Sequence, residues 1–128
     1  MTNSEPAVPA SPGHVVLTTT ANSEEKAAAL AEAAVGERLA ACAQIHPVAS
    51  VYRWEGEVEH EREWRIDFKT RGELTRALSA FITERHDYKT PEIIAVPVVA
   101  GSAAYLSWLT AETAQPVTGE RRRAHSVD

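Results

Sequence analysis

Cysteine is nearly absent from the chain, since Cys42 is the only one among 128 residues. A single cysteine cannot form an intramolecular disulfide, and it excludes zinc sites built from Cys-x-x-Cys pairs. Positive charge is also scarce, with 13 Lys and Arg residues against 18 Asp and Glu residues and a net charge of −5. This balance argues against a protein that binds nucleic acid through its phosphates.

Long apolar runs are missing as well. No stretch approaches the roughly 18 apolar residues of a transmembrane helix, so we expect no membrane partner. Residues 1–12 have no basic residue followed by an apolar run, which is unlike a secretory signal. The sequence therefore predicts a cytoplasmic protein.

The sequence also lacks the motifs that mark common catalytic sites. It has no Gly-x-Ser-x-Gly elbow, no phosphate-binding P-loop and no dinucleotide-binding glycine pattern. We therefore expect a protein that is not an enzyme.

The composition fits one globular domain, because 44% of the residues are hydrophobic. Residues 1–13 and 115–128 are proline-rich or polar and show no hydrophobic periodicity. They predict a disordered N-terminal arm and a disordered C-terminal tail. The folded domain is predicted over residues 14–114.

Within that domain the hydrophobic pattern predicts strand, helix, strand, strand, helix, strand and a last helix. The strands are expected at residues 15–20, 41–54, 57–69 and 93–99, and the helices after capping signals at Asn22, Thr70 and Ser102. This β-α-β-β-α-β order is that of an α+β, ferredoxin-like sandwich with helices on one face of an antiparallel sheet.

The two middle strands form a long central hairpin around Glu55-Gly56. Its returning strand is strongly amphipathic, with Val58, Trp64, Ile66 and Phe68 on one face and charged residues on the other. Pro47 predicts either a bulge or an edge position. Long projecting strands and an uncovered sheet face are liabilities in a monomer, so the pattern favours a closed oligomer.

His86 is the best candidate metal ligand, because Asp87, Tyr88 and Glu92 lie close to it in a loop. Imidazole suits copper, zinc and nickel, and a carboxylate could complete such a site. The alternative is a loop histidine that hydrogen-bonds to the backbone at a helix end. His46 and His60 show no metal-ligand spacing.

Three further features have a structural and a functional interpretation. Cys42 lies in a small apolar run, which indicates a buried, inert thiol, with Cu(I) binding as the alternative. The alternating glutamates of residues 57–63 indicate a solvated face, with weak gathering of cations as the alternative. Trp54 and Trp64 are expected in the core or an interface, with ligand stacking as the alternative.

Several segments together resemble the CutA divalent-cation tolerance family. Residues 37–43 (ERLAACA) with 45–47 (IHP) are similar to its helix-to-strand signature, and residues 52–59 (YRWEGEVE) to its Y-x-W-x-G hairpin. Residues 86–94 (HDYKTPEII) are similar to its H-x-Y-x-x-P-E-I segment, and residues 101–108 (GSAAYLSW) to its closing G-x-x-x-Y-L-x-W. The resemblance runs from about residue 14 to 108 in one order.

The resemblance implies a homotrimer in which long hairpins extend the sheets of neighbouring subunits, and a role in the response to divalent metal ions. Copper ligation in some bacterial relatives involves a first-strand cysteine and a His-His pair in the H-x-Y loop. Thr18 and the pair Arg85-His86 occupy these positions here. Copper or another divalent cation is therefore the implied ligand, with His86 as the matching ligand residue.

Two other functions remain open. By analogy with trimeric PII-type signalling proteins, a small molecule could bind in a cleft between subunits. The residues expected to line that cleft, beside His86, are Tyr52, Trp54, Glu63, Lys69, Tyr88 and Glu92. The last alternative is a stable trimeric scaffold for a protein partner.

Overall fold

The computed structural model describes residues 13–114. The elements are β1 (His14–Ala21), α1 (Glu24–Gly36), β2 (Cys42–Trp54), β3 (Glu57–Arg71), a 3-10 turn (Gly72–Leu74), α2 (Thr75–Arg85), β4 (Ile94–Pro97) and α3 (Ala103–Glu112). The predicted arm and tail lie outside the described residues, except for Gly13, whose carbonyl accepts a hydrogen bond from the Gly72 N–H. Among the described residues, no helix is long and apolar enough to cross a membrane.

The four strands form one antiparallel sheet in the order β2-β3-β1-β4, which confirms the predicted α+β class. The β2–β3 register is unbroken from the Cys42–Lys69 pair to the Trp54–Glu57 pair. Pro47 therefore causes no bulge. It lies on an edge strand, where a missing N–H is tolerated, so the edge alternative is the right one.

The hairpin turn has the backbone that a two-residue connection requires. Glu55 has φ 51° and Gly56 has φ 84°. Two consecutive positive φ values are those of a type I′ turn, whose twist matches that of the flanking strands. The Glu55-Gly56 turn is thus confirmed, with a non-glycine residue at its first position.

The hydrophobic core lies between one sheet face and the helices α1 and α2. Leu17, Ile66 and Phe68 contribute from the sheet, and Leu78 and Ile82 from α2, all fully buried. The buried face of α1 consists of small side chains and one leucine, namely Ala27, Leu30, Ala31 and Ala34. Small side chains let this helix lie close to the sheet, as the sequence predicts.

Two predicted helix caps are wrong. Ser23, rather than Asn22, caps α1, and its Oγ accepts a hydrogen bond from the Lys26 N–H at 3.1 Å. Thr70 caps no helix because β3 continues through it to Arg71, and its side chain is buried. The third prediction is confirmed, since the Ser102 Oγ accepts from the Tyr105 N–H at 3.2 Å.

The fourth strand is shorter and more exposed than predicted. Its register with β1 runs from Ile94 to Pro97, with one further hydrogen bond from the Val98 N–H to the His14 carbonyl, although the apolar run extends over residues 93–99. Ile94 and Val96 are 55% and 52% exposed in the single chain. Strand β4 is an edge, and nothing among the described residues covers its outer side.

Candidate functional site

A cavity of about 800 Å³ lies between the long hairpin and the loop that follows α2. Its lining comes from three parts of the chain: the end of β1, the outer half of the β2–β3 hairpin, and the loop. The lining residues are Thr20, Ser50, Val51, Tyr52, Trp54, Glu59, Glu61, Glu63, Tyr88, Lys89, Thr90, Pro91 and Glu92.

Strand alternation and register bring the hairpin residues to one sheet face. Tyr52 pairs with Glu59, so even-numbered residues of β2 share a face with the odd-numbered glutamates of β3. The Tyr52 hydroxyl donates to the Glu61 carboxylate at 2.8 Å. That hydrogen bond to an anion, with further carboxylates nearby, raises the pKa of Tyr52 to about 12. The phenol therefore stays protonated and acts as a donor.

Glu63 is the most buried charged residue of the cavity, at 6% exposure. The Tyr88 hydroxyl donates to its carboxylate at 2.8 Å and so joins the loop to β3. Burial, followed by this hydrogen bond to Glu63, raises the pKa of Tyr88 above that of an ordinary phenol. Two phenols thus hold two glutamates in place along the same wall.

His86 fixes the position of Tyr88. It follows the last residue of α2, and its Nε2 lies 2.6 Å from the carbonyl oxygen of Thr20. Its Nδ1 accepts a hydrogen bond from the Tyr88 N–H at 3.1 Å, and the two rings are 4.6 Å apart. An accepting Nδ1 requires the proton on Nε2, so the ring is a neutral imidazole that donates to Thr20.

In the structure, His86 has the geometry of a loop histidine that hydrogen-bonds to the backbone at a helix end. This is the alternative that the sequence gives to a metal ligand. Both ring nitrogens already have a partner, so a metal ion would have to replace one of the two hydrogen bonds. Residues 13–114 contain no group of three or more His, Cys, Asp or Glu side chains that could hold a metal ion. Metal binding by His86 stays a prediction.

The resemblance assigns copper ligands to two positions, Thr18 and Arg85, whose side chains have partners within the chain. The Thr18 hydroxyl donates to Asp67 Oδ1 at 2.7 Å on the sheet face opposite α1 and α2, where Thr18 is buried. The Arg85 guanidinium lies 3.6 Å from the centre of the Phe81 ring and donates to the Phe81 carbonyl. A single chain therefore does not offer a tight copper site at these positions.

Most of the predicted cleft residues come together in this one cavity. Tyr52, Trp54, Glu63, Tyr88 and Glu92 line it. Lys69 does not line it, since it lies nearer the other end of β3, where its Nζ donates to Gln44 Oε1 at 2.6 Å. His86 does not line it either, and instead borders a separate cavity beside α1.

Eight lining residues lie outside the predicted cleft: Thr20, Ser50, Val51, Glu59, Glu61, Lys89, Thr90 and Pro91. The period of two along β3 already places Glu59 and Glu61 on the face of Glu63, and the sequence gives weak gathering of cations as their alternative role. Thr20 and Lys89 follow only from the tertiary fold.

Comparison with known proteins gives one consistent result. Residues 15–112 match the family described as CutA1 divalent ion tolerance protein. The divalent-cation tolerance protein CutA of Yersinia pestis (strain Pestoides F) is 43% identical over 98 residues, which are 76% of this chain and 82% of that protein.

Solved structures of the same kind share the fold. The divalent cation tolerance protein of Thermus thermophilus has a TM-score of 0.76 at 40% identity, covering 79% of this chain and 99% of that one. The protein from Archaeoglobus fulgidus, described as periplasmic, has a TM-score of 0.78 at 33% identity, with the same coverage of 79% and 99%. All these relatives are named for divalent-cation tolerance rather than for a reaction.

Proposed function

The chain belongs to the CutA1 divalent ion tolerance family, and from this premise we propose that it is a homotrimeric divalent-cation tolerance protein that binds copper or another divalent metal. The observation that carries the proposal is the family match over residues 15–112, which includes nearly the whole described fold. The names of the relatives refer to divalent cations as a class, and copper enters only through the resemblance of the His86 loop.

The sheet supports a ferredoxin-like sandwich and its assembly into a trimer. The order β2-β3-β1-β4, with α1 and α2 on one face, fits that sandwich. Within residues 13–114, both outer strands, β2 and β4, have an unpaired hydrogen-bonding edge. Exposed apolar side chains accompany those edges, with Val51 at 64% and Ile94 at 55% exposure. Pairing the edges of neighbouring copies would satisfy the backbone and cover these side chains.

The metal site of this proposal needs more than one subunit. His86 can supply one imidazole nitrogen if it gives up a hydrogen bond to Thr20 or Tyr88. Further donors would come from a neighbouring chain, since residues 13–114 of one chain contain no group of three or more. We therefore expect weak rather than tight copper binding.

Calorimetric titration of the tag-free protein with Cu(II) tests the metal proposal. We expect saturable binding that His86→Ala lowers by one site per subunit. His60→Ala is the matched control, because His60 is an exposed imidazole of the hairpin that does not line the cavity between hairpin and loop. Binding that is equal in both variants would remove His86 from the site, and no saturable binding would contradict the proposal.

A second candidate function is the binding of a small molecule in the cavity between hairpin and loop. The observation that favours it is the convergence of five predicted cleft residues on one cavity of about 800 Å³, a volume typical of small-molecule sites. A thermal-shift screen with metabolites of different charge tests this function. No shift at millimolar ligand would contradict it.

A further inference from the structure

The cavity between hairpin and loop is unusual in its charge. Four carboxylates line it, from Glu59, Glu61, Glu63 and Glu92, against one ammonium group from Lys89. Glu63 is 6% exposed, and no Lys, Arg or His of residues 13–114 lies within ion-pair distance of it. A buried carboxylate without a cation is unfavourable, and a positively charged ligand would relieve that cost.

The phenols leave the carboxylates able to accept more hydrogen bonds. Tyr88 donates to one oxygen of Glu63 (Oε2), and Tyr52 donates to one oxygen of Glu61 (Oε1). A carboxylate has two oxygens and about four lone-pair directions, so each glutamate keeps acceptor capacity. The cavity therefore offers oriented anionic acceptors, which suit N–H donors.

Aromatic faces are also accessible at this site. Tyr52 and Trp54 are 38% and 43% exposed and line the same cavity. Aromatic rings attract organic cations through their negative faces, and tryptophan does so most strongly. Aromatic rings together with carboxylates favour an organic cation over an anion such as a nucleotide.

The spacing of the glutamates along β3 indicates the spacing of the positive charges that a matching ligand would carry. Glu59, Glu61 and Glu63 alternate along β3, so successive carboxylates are separated by two residues, or about 7 Å of strand. Among residues 13–114, these carboxylates are in no group of three or more His, Cys, Asp or Glu side chains that could hold a metal ion, and the cavity is far larger than an ion. A flexible chain with several amino groups can contact them in turn.

We propose that the cavity between hairpin and loop binds a linear polyamine, with its ammonium groups on Glu63 and Glu61 and its methylene chain against Trp54. This inference rests on the second candidate function, the small-molecule site, and names its ligand class. It assigns Glu63 the main electrostatic contact, because Glu63 is the buried carboxylate.

Titration of the full-length protein, in its native assembly, with spermidine tests the proposal. Octanediol is the matched neutral ligand, since it has a similar length and flexibility but no charge. We expect saturable spermidine binding and no octanediol binding. Equal binding of the two ligands, or binding of neutral or anionic metabolites without spermidine, would overturn the polyamine assignment and leave the small-molecule site standing. No binding of any ligand would overturn both.

Two isosteric variants distinguish spermidine binding in the cavity from general attraction of a cation to an acidic protein. Glu63→Gln keeps an acceptor for Tyr88 but removes the charge, so we expect spermidine to bind about tenfold more weakly or worse. Glu32→Gln removes the same charge from the exposed surface of α1 and should leave the affinity unchanged. Equal affinities of these variants would overturn the proposal. If Glu63→Gln does not fold, Glu61→Gln, at an exposed position, makes the same comparison.

Discussion

On the sheet face opposite α1 and α2, a polar pair joins β1 to β3. Asp67 accepts hydrogen bonds from the Thr18 hydroxyl at 2.7 Å and from Arg65 Nε at 3.1 Å. Partial burial by itself raises the pKa of Asp67, but these hydrogen bonds and the Arg65 charge outweigh it and hold the pKa below its ordinary value of 3.8. The charged form of Asp67 therefore stabilises the folded chain.

Replacing Asp67 by Ala should lower the free energy of unfolding by about 1–3 kcal/mol near neutral pH. Because the pKa is lower in the folded chain, this contribution is complete above 3.8 and disappears as the pH falls below that value. Urea unfolding at one protein concentration, at neutral and at acidic pH, measures both effects. A difference between wild type and variant that grows on acidification would contradict this account.

Asp87→Asn is the control for that experiment. Asp87 pairs with Lys26 at an exposed position, and the hydrogen bond from Lys26 lowers the pKa of the carboxyl. Exposed ion pairs contribute little to stability, so the unfolding midpoint should hardly change. A loss as large as that of Asp67→Ala would show that net charge, rather than the Thr18 contact, controls the effect.

Thr18 and Thr19 are neighbours with opposite roles. Thr19 points to the helix side, is fully buried and has no partner for its hydroxyl among the described residues. Thr19→Val should therefore raise the free energy of unfolding by about 1 kcal/mol, while Thr18→Val should lower it by a similar amount. Chemical denaturation of the two isosteric variants measures both changes in the free energy of unfolding. Changes of the same sign would contradict the placement of Thr18 and Thr19 on opposite sheet faces.

The sequence predicts the burial of β1 but not these roles. Its continuous β-branched run indicates a central strand, and the structure confirms it. The partner of Thr18 is 49 residues away, so only the register of β1 with β3 reveals it. The N-cap of α1 is also not decided by the sequence alone. Asn22 and Ser23 are both favourable N-cap residues, and only the backbone conformation selects Ser23.

At the scale of elements, the central hairpin is the most predictable part of the chain. Its alternation and its turn are local signals, and both are present in the structure. Strand β4 is less predictable because its length depends on pairing with β1, which ends at Pro97. The apolar run beyond Pro97 therefore extends past the strand, and Val99 is 94% exposed in the single chain.

The turn gives a matched pair of glycine substitutions. Gly56 has a positive φ, so Gly56→Ala should lower the free energy of unfolding by about 1 kcal/mol. Gly36 is the last residue of α1, and a Cβ at this position would meet no atom within 4 Å. Gly36→Ala should therefore raise the free energy of unfolding by about 0.5–1 kcal/mol. Thermal unfolding measures both, and a stabilising Gly56→Ala would contradict the type I′ turn.

At the scale of the whole molecule, the candidate site contains some residues that local sequence patterns reveal and others that only the tertiary fold brings together. The sequence predicts which glutamates share a face, and the resemblance indicates the loop of His86 and Tyr88. The contact of His86 with Thr20 joins residues 66 positions apart, and no local pattern reveals it. That contact explains why His86 serves as a support for Tyr88 in the single chain.

The free strand edges make the proposed trimer sensitive to charge at β4. Val96 is 52% exposed in the single chain, so Val96→Glu should leave the fold of one subunit intact. In a trimer that covers β4, the buried charge would weaken assembly. We expect gel filtration to show smaller species for this variant than for the wild type at equal concentration. Glu32→Gln, on the exposed surface of α1, should leave the elution unchanged, and equal elution of all three proteins would place β4 outside the interface.

Light scattering of the purified wild-type protein measures whether the chain assembles as a homotrimer of the CutA1 family. We expect a mass three times that of the 13.9 kDa chain at micromolar concentration. A mass equal to one chain would contradict this assembly, because the exposed edges and apolar side chains of β2 and β4 have no covering partner within residues 13–114.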